Sequence, residues 1–258
     1  MPTFLFDKII FGPVKSRRLG HSLGVNLLPT DAKVCNFNCI YCECGLNTKG
    51  KKDLYLPTVG EISNLLQRRL NEMKSKGEPV DTITFAGNGE PTMHPQFEEV
   101  IDAVITVRNN IFPQVKIAVL SNSLLLHKQS VLNALKKADL NIMKLDSAIN
   151  RTFQILNQPQ LPITANDVIE NLKKFNGKLV VQTMFVKGSF NGQAFDNTTD
   201  TEIIAWTDAL KSISPELVMI YTIARDTPVE TIEKISGKQL KAIASTIEKA
   251  GLRVSVSE

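Results

Sequence analysis

The sequence predicts an α/β protein built on a parallel sheet with right-handed crossovers. Three observations carry this. Short apolar runs rich in β-branched residues alternate with stretches of helical period six times along the 258 residues. Several of the helical stretches open on a Thr or Ser followed three residues later by Glu or Gln, a helix-start signal. The alternation runs in series, so each strand returns beside an earlier one through a helix, and such crossovers are right-handed. With 43% hydrophobic residues the chain suffices for one sizeable core. It reads as a single domain over 1–258, an irregular lead-in over 1–21 and the sheet from 22 onward.

In order, residues 4–20 hold a Gly12-Pro13 turn and the basic Lys15, Arg17 and Arg18, and read as irregular. Residues 22–28 form the first strand, closed by Pro29, and a polar lysine-bearing linker covers 45–57. Thr58 and Glu61 form a capping box ahead of Ile62, Leu65, Leu66, Leu70 and Met73 at helical spacing. A strand over 81–86 precedes a helix over 96–109 with Phe97, Val100, Ile101 and Val104 on one face. The third strand is 115–120, and Ser130 caps the helix bearing Val131, Leu132 and Leu135. The fourth is 141–145, followed by a helix near 166–175 that stops at Gly177. The fifth is 179–186, before a second capping box at Thr199 and Glu202. The sixth is 217–222; Ser236 opens the last helix, Gly251 closes it, and 252–256 add a terminal strand. Periodicity alone allows either an open doubly wound sheet or a barrel.

No signal peptide is evident, since the apolar opening meets Asp7, and no apolar run approaches a membrane span. Four cysteines, three of them in one loop, read as reduced thiols and not as a disulfide framework. The expectation is a soluble cytoplasmic protein with no membrane partner. Its net charge of +4 is unevenly spread: residues 1–52 carry eight Lys/Arg against three Asp/Glu, and the remainder 22 against 23. This excess is either a solvated surface, local compensation of anionic groups, or a surface for an anionic substrate.

The chemistry-bearing stretch is Cys35-Asn-Phe-Asn-Cys39-Ile-Tyr-Cys42. Thiolates are soft ligands for zinc, copper(I) or iron–sulfur centres. Structural zinc takes four ligands, commonly in two pairs, and no second Cys/His pair follows. Three thiolates at this spacing suggest a four-iron cluster with one iron left open. Cys44 lies off the pattern. Downstream, after a strand, stands Gly87-Asn88-Gly89-Glu90-Pro91, where glycine permits close backbone approach and the carboxylate can hold an ammonium.

Cys-x3-Cys-x2-Cys with an aromatic residue, Tyr41, before the last cysteine resembles the radical S-adenosylmethionine (SAM) enzymes, and the Gly-Asn-Gly-Glu-Pro loop resembles their Gly-Gly-Glu-Pro motif, with Asn88 as the departure. The resemblance covers the chain from residue 22 and implies a partial (β/α)6 barrel with the cluster loop after the first strand. It implies a 4Fe–4S cluster on Cys35, Cys39 and Cys42, whose fourth iron is chelated by the amino acid end of SAM. Ligands gather at the carboxyl ends of barrel strands. There it implies Tyr41 near the adenine (or simply packed), Gly87, Asn88, Gly89 and Glu90 at the methionine amino group, and Ser121 and Asn122 at the ribose or carboxylate (or a helix-entry turn). Asp146 is read as a ribose acceptor or a cap, with Gln182 and residues 221–225 as weaker SAM contacts.

The chemistry implied is one-electron reductive cleavage of SAM to a 5′-deoxyadenosyl radical that abstracts hydrogen from a substrate, fed by an external flavodoxin- or ferredoxin-like donor. No residue is assigned a catalytic role, since the cofactors supply the radical chemistry. Residues 11–20, Lys144-Leu-Asp146 and Ile155-Leu-Asn-Gln-Pro159 resemble the group related to wyosine-base synthases of tRNA; this chain has no cysteines for their second cluster, so the likeness stands at group level. The basic Arg17, Arg18, Lys49, Lys51 and Lys52 suggest an anionic substrate, RNA or another anionic molecule. The alternatives are an activase that generates a glycyl radical on a protein and, in another class, a non-catalytic iron–sulfur electron carrier.

Overall fold

The computed structural model describes residues 4–47 and 54–257. The elements run β1 (Ile10–Ser16), β2 (Gly20–Val25), α1 (Val59–Lys76), β3 (Thr82–Phe85), α2 (Phe97–Ile111), β4 (Lys116–Ser121), α3 (Gln129–Lys137), β5 (Leu140–Lys144), α4 (Asn150–Asn157), α5 (Ala165–Lys173), β6 (Val180–Met184), β7 (Val186–Phe190), β8 (Gln193–Asp196), α6 (Asp200–Ile213), β9 (Leu217–Tyr221), β10 (Ile232–Lys234), α7 (Gly237–Lys249) and β11 (Val254–Ser257).

Eight strands make one curled half-barrel sheet in the order β1-β2-β3-β4-β5-β6-β9-β11. Only β1 is antiparallel to its neighbour; from β2 to β11 every pairing is parallel. Side chains alternate across a strand, so the sheet has two apolar layers. Ile117, Val119, Met143 and Val181 join the large core with the helices. Their neighbours Ala118, Ile142, Val180 and Met219 form a smaller cluster, against which Leu19 of the β1–β2 turn packs. Burial on both faces explains why the strands read as unbroken apolar runs.

Departures from the sequence expectation have local causes. The lead-in is not wholly irregular, because residues 10–16 form β1, an edge strand whose register shifts between Phe11 and Val14. Pro13 lacks an amide donor, which an edge strand tolerates. The first parallel strand stops at Val25 because the Asn26 side chain closes a ring with the main chain of Leu28, Nδ2 donating to O at 2.9 Å and Oδ1 accepting from N at 3.2 Å. The expected strand 179–186 divides into β6 and β7, and β7 leaves for a small sheet ordered β10-β7-β8. Asn191 and Gly192, both at positive φ, join β7 to β8 in a two-residue turn, a hairpin that Asn-Gly favours.

The caps also differ. Thr58 and Thr199 each accept from the amide three residues on, but Glu61 instead accepts from the Tyr55 hydroxyl and Glu202 from Ser147 Oγ at 2.6 Å. Thr164 and Asp167 form a full capping box. Ser130 is no cap, since α3 begins at Gln129 after Lys128 without a side-chain bond. The helix expected near 166–175 ends at Lys173, and α4 was not anticipated.

Candidate cofactor site

The cysteine loop leaves the carboxyl end of β2 and is strung between two neighbouring segments. On one side Val34 N donates to Asn88 O at 2.9 Å and Glu90 N to Val34 O at 3.1 Å. A side chain at Gly89 is excluded there: its φ is +141° and a Cβ would stand 1.8 Å from Val34 O. On the other side Asn38 N donates to Asn157 O at 3.0 Å, Ile40 N to Leu156 O at 3.0 Å, and Gln160 N to Asn36 O at 2.9 Å. Phe37 and Ile40 anchor the loop in the large core.

This loop turns Cys35, Cys39 and Cys42 toward one cavity of about 180 Å³. Tyr41, Gly87, Gly89 and Glu90 border it, as do Ser121, Asn122 and Gln182. Among the described residues no three Cys, His, Asp or Glu gather closely enough to hold a single metal ion. Cys44 lies outside the lining, with its Sγ 3.4 Å from Gly87 O. The thiols differ electrostatically. Burial first, then the charge of Glu90, holds Cys35 above its ordinary range. Burial also raises Cys39, against the pull of Lys144. Cys42 falls to about 5, because a hydrogen bond from Cys44 outweighs burial and Lys33 adds its charge.

Glu90 is buried, and its carboxylate is held by four donors. Oε1 accepts from Thr92 Oγ1 at 2.6 Å, Ser121 Oγ at 2.8 Å and Thr92 N at 3.2 Å, and Oε2 from Asn122 N at 2.7 Å. Burial pushes its carboxyl above the usual range, while these bonds favour the charged form. The result is an oriented carboxylate at the cavity wall, suited to receiving a cation.

Asn88 and Asp146 sit elsewhere. The Asn88 side chain pairs with main chain, accepting from Phe6 N at 2.8 Å and donating to Phe6 O at 2.9 Å and Pro29 O at 2.8 Å. It ties the N-terminal segment to the loop and does not border the cavity. Asp146 does not border the cavity either: Oδ1 accepts from Met184 N at 3.0 Å, and Oδ2 from the Tyr41 hydroxyl, Asn157 Nδ2 at 2.6 Å and Lys144 Nζ at 3.3 Å. Lys144 also donates to the Tyr41 hydroxyl at 2.8 Å and lies 5.0 Å from the centre of its ring. Burial opposes its charge, but Asp146, with Tyr221 and Cys39, holds it above its ordinary range.

Asn157 and Lys144 are the residues the sequence reading missed as parts of the site. Both stand in segments noted only for their likeness to a group; the signal, polar residues within apolar flanks, was present. Gln182 donates to the Tyr221 hydroxyl at 2.7 Å, and the Arg18 guanidinium lies 4.5 Å from the centre of the Tyr221 ring. Arg225 pairs with Glu43. Lys49, Lys51 and Lys52 lie outside the described residues.

Residues 31–201 match the radical SAM superfamily. The chain belongs to that superfamily. It is a radical SAM enzyme whose fold agrees with solved members of the group. A UPF0026 protein of Helicobacter pylori (strain J99) is 33% identical over 252 residues, covering 96% of this chain and 76% of the relative. Streptococcus suis SuiB, solved with S-adenosylmethionine, superposes with a TM-score of 0.64 at 16% identity over 91% of this chain, which spans 50% of SuiB. Archaeal TYW1 superposes with a TM-score of 0.54 at 10% identity, over 89% of this chain and 72% of that one. At these identities the likeness is one of fold. It agrees with the partial barrel that the resemblance implied. No helix among the described residues is long and apolar enough to cross a membrane.

Proposed function

We propose that this radical SAM enzyme carries a 4Fe–4S cluster on Cys35, Cys39 and Cys42 and binds SAM against Glu90 in the same cavity. The observation that carries this reading is the convergence of three thiols and one oriented carboxylate on a single 180 Å³ cavity. The residues fit such a group. The donors are soft thiols spread around a cavity, a set that favours an iron–sulfur cluster. Asn36 Nδ2, on the residue after Cys35, is buried without a hydrogen-bond partner and could donate to an acceptor in the group. When bound, cluster and SAM supply one-electron cleavage to a carbon radical that removes a hydrogen atom from substrate.

The chain's own part is to bind and orient. Glu90, fixed by its four donors, accepts the ammonium of SAM. Gly87 and Gly89 let main chain approach it, and Ser121, Asn122 and Gln182 offer polar groups along the wall. Tyr41 presents its ring while its hydroxyl is engaged by Asp146. No side chain is given a proton-transfer role. The reading requires an external one-electron donor of the flavodoxin or ferredoxin type and a reducing compartment, which we take to be the cytoplasm. For the substrate we favour an anionic molecule, RNA or a smaller phosphorylated or carboxylated compound. Support comes from Arg18, whose Nη1 is buried without a hydrogen-bond partner over Tyr221.

The test is anaerobic reconstitution. We expect about four irons per chain, and 5′-deoxyadenosine on adding dithionite and SAM. Alanine at Cys35, Cys39 or Cys42 should abolish iron binding, and Cys44→Ala should retain it. A full iron complement without SAM binding would return the protein to the electron-carrier class.

A further inference from the structure

Asn157 is the last residue of α4, and its two halves face different tasks. Its main-chain oxygen accepts from Asn38 N and so helps hold the cysteine loop. Its side chain is buried, with Nδ2 2.6 Å from Asp146 Oδ2, 3.3 Å from the Tyr41 hydroxyl and 3.4 Å from Cys39 Sγ.

The surroundings fix which end of the carboxamide points where. A carboxylate at 2.6 Å demands a donor, so the nitrogen, not the oxygen, faces Asp146. The Tyr41 hydroxyl gives its own hydrogen to Asp146 and accepts from Lys144. One Nδ2 hydrogen is therefore taken by Asp146, and the second is shared between the Tyr41 hydroxyl at 3.3 Å and the Cys39 sulfur at 3.4 Å, of which only the sulfur would gain charge as a cluster ligand. Asn157 Oδ1 is left buried without a partner. A buried orphan acceptor costs about 1–3 kcal/mol, so the orientation is imposed by the nitrogen end.

We propose that Asn157 is a positioning residue that donates an N–H···S hydrogen bond to the Cys39 thiolate, with Asp146, Tyr41 and Lys144 as the frame that aims it, and that this bond raises the reduction potential of the cluster. The proposal rests on the cluster assignment above. A donor to a ligating sulfur draws charge from it and favours the state with the extra electron, and outer-shell partners of this kind tune metal sites. Asp146 thereby serves the cluster side of the site through Asn157, in place of the ribose contact expected from its position at a strand end.

The experiment is an anaerobic redox titration followed by electron paramagnetic resonance, on reconstituted wild type and on Asn157→Leu. Leucine has a similar shape, leaves the main-chain bond to Asn38 in place and has no N–H. The expected result is an unchanged iron content, a shift of the potential to more negative values, and loss of one exchangeable-proton coupling in the reduced cluster. An unchanged potential and coupling would overturn the proposal. If the leucine variant takes up no iron, Asn157→Ser carries the same expectation, and loss of iron in both would make the side chain purely structural and the proposal wrong. Wild type that takes up no iron fails at the cluster assignment; wild type with a cluster beside an unaltered variant fails only here.

Discussion

Arg225 Nη1 lies 2.6 Å from Glu43 Oε2, joining the loop after β9 to the cysteine loop after β2. These loops belong to strands toward opposite ends of the curled sheet, and Arg18 over Tyr221 crosses the same gap. Both partners of the ion pair are exposed, so its contribution to stability is at most about 1 kcal/mol and falls with added salt. We expect Arg225→Ala to shift the urea midpoint slightly at low ionic strength and not at all in high salt. A large, salt-independent loss would mean that Arg225 supports packing.

Glu90→Gln keeps the shape of the side chain and removes its charge. The cluster spectrum should persist, and SAM affinity should fall roughly tenfold or more, the cost of about 1.5–3 kcal/mol for a charge-assisted hydrogen bond. Equal SAM titrations of variant and wild type would move the amino group elsewhere in the cavity.

Cluster-free protein should react with iodoacetamide first at Cys42. Its thiol is lowered to about 5, so it is thiolate through neutral pH and loses reactivity only as the pH falls toward that value. Cys35 and Cys39 are raised by burial and stay protonated there. Peptide mapping of protein labelled at pH 6 checks the order, and equal labelling of all three would refute it.

Gly89→Ala places a methyl group against Val34 O at a φ that side chains rarely adopt. Strain of this kind costs on the order of 1–3 kcal/mol. Since the clash is with main chain, relief means parting the loop after β3 from the cysteine loop. Iron uptake should fall along with the denaturation midpoint. A variant that reconstitutes normally would show that this contact does not fix the thiols.

Asp146→Ala leaves Lys144 in a largely buried place without its carboxylate. Loss of one partner of a buried pair costs about 3–5 kcal/mol. The denaturation midpoint should drop well beyond that of Glu43→Ala, and SAM binding should weaken only as far as Tyr41 moves.

What could be read from the sequence follows the range of the forces involved. The parallel strands of the main sheet are buried on both faces, so composition betrays them over a few residues. β1 is broken by Pro13, and β7–β8 is a two-stranded excursion on an otherwise apolar run, so neither stands out by period. The thiols are legible because their spacing is itself the constraint, and Glu90 because glycines flank it. Asp146 was legible as a carboxylate at a strand end, but its function depends on what faces it. Tyr41 is 105 residues away in sequence and Asn157 is 11, and no local pattern announces that they meet.

The bond pattern around the cysteine loop also sets an order of events during synthesis. Asn157 follows Cys39 by 118 residues, and the main-chain partners of residues 36–40 lie at 156–160. Closing so long a loop comes late, since its entropy must be met before the contact gives anything back. At roughly 5–20 residues per second a ribosome needs about 6–24 s to add that stretch. During that interval the three thiols lack the partners that fix their spacing. On the cluster assignment proposed above, iron loading is expected only on chains that have passed residue 160, where the partners that hold residues 36–40 have been made.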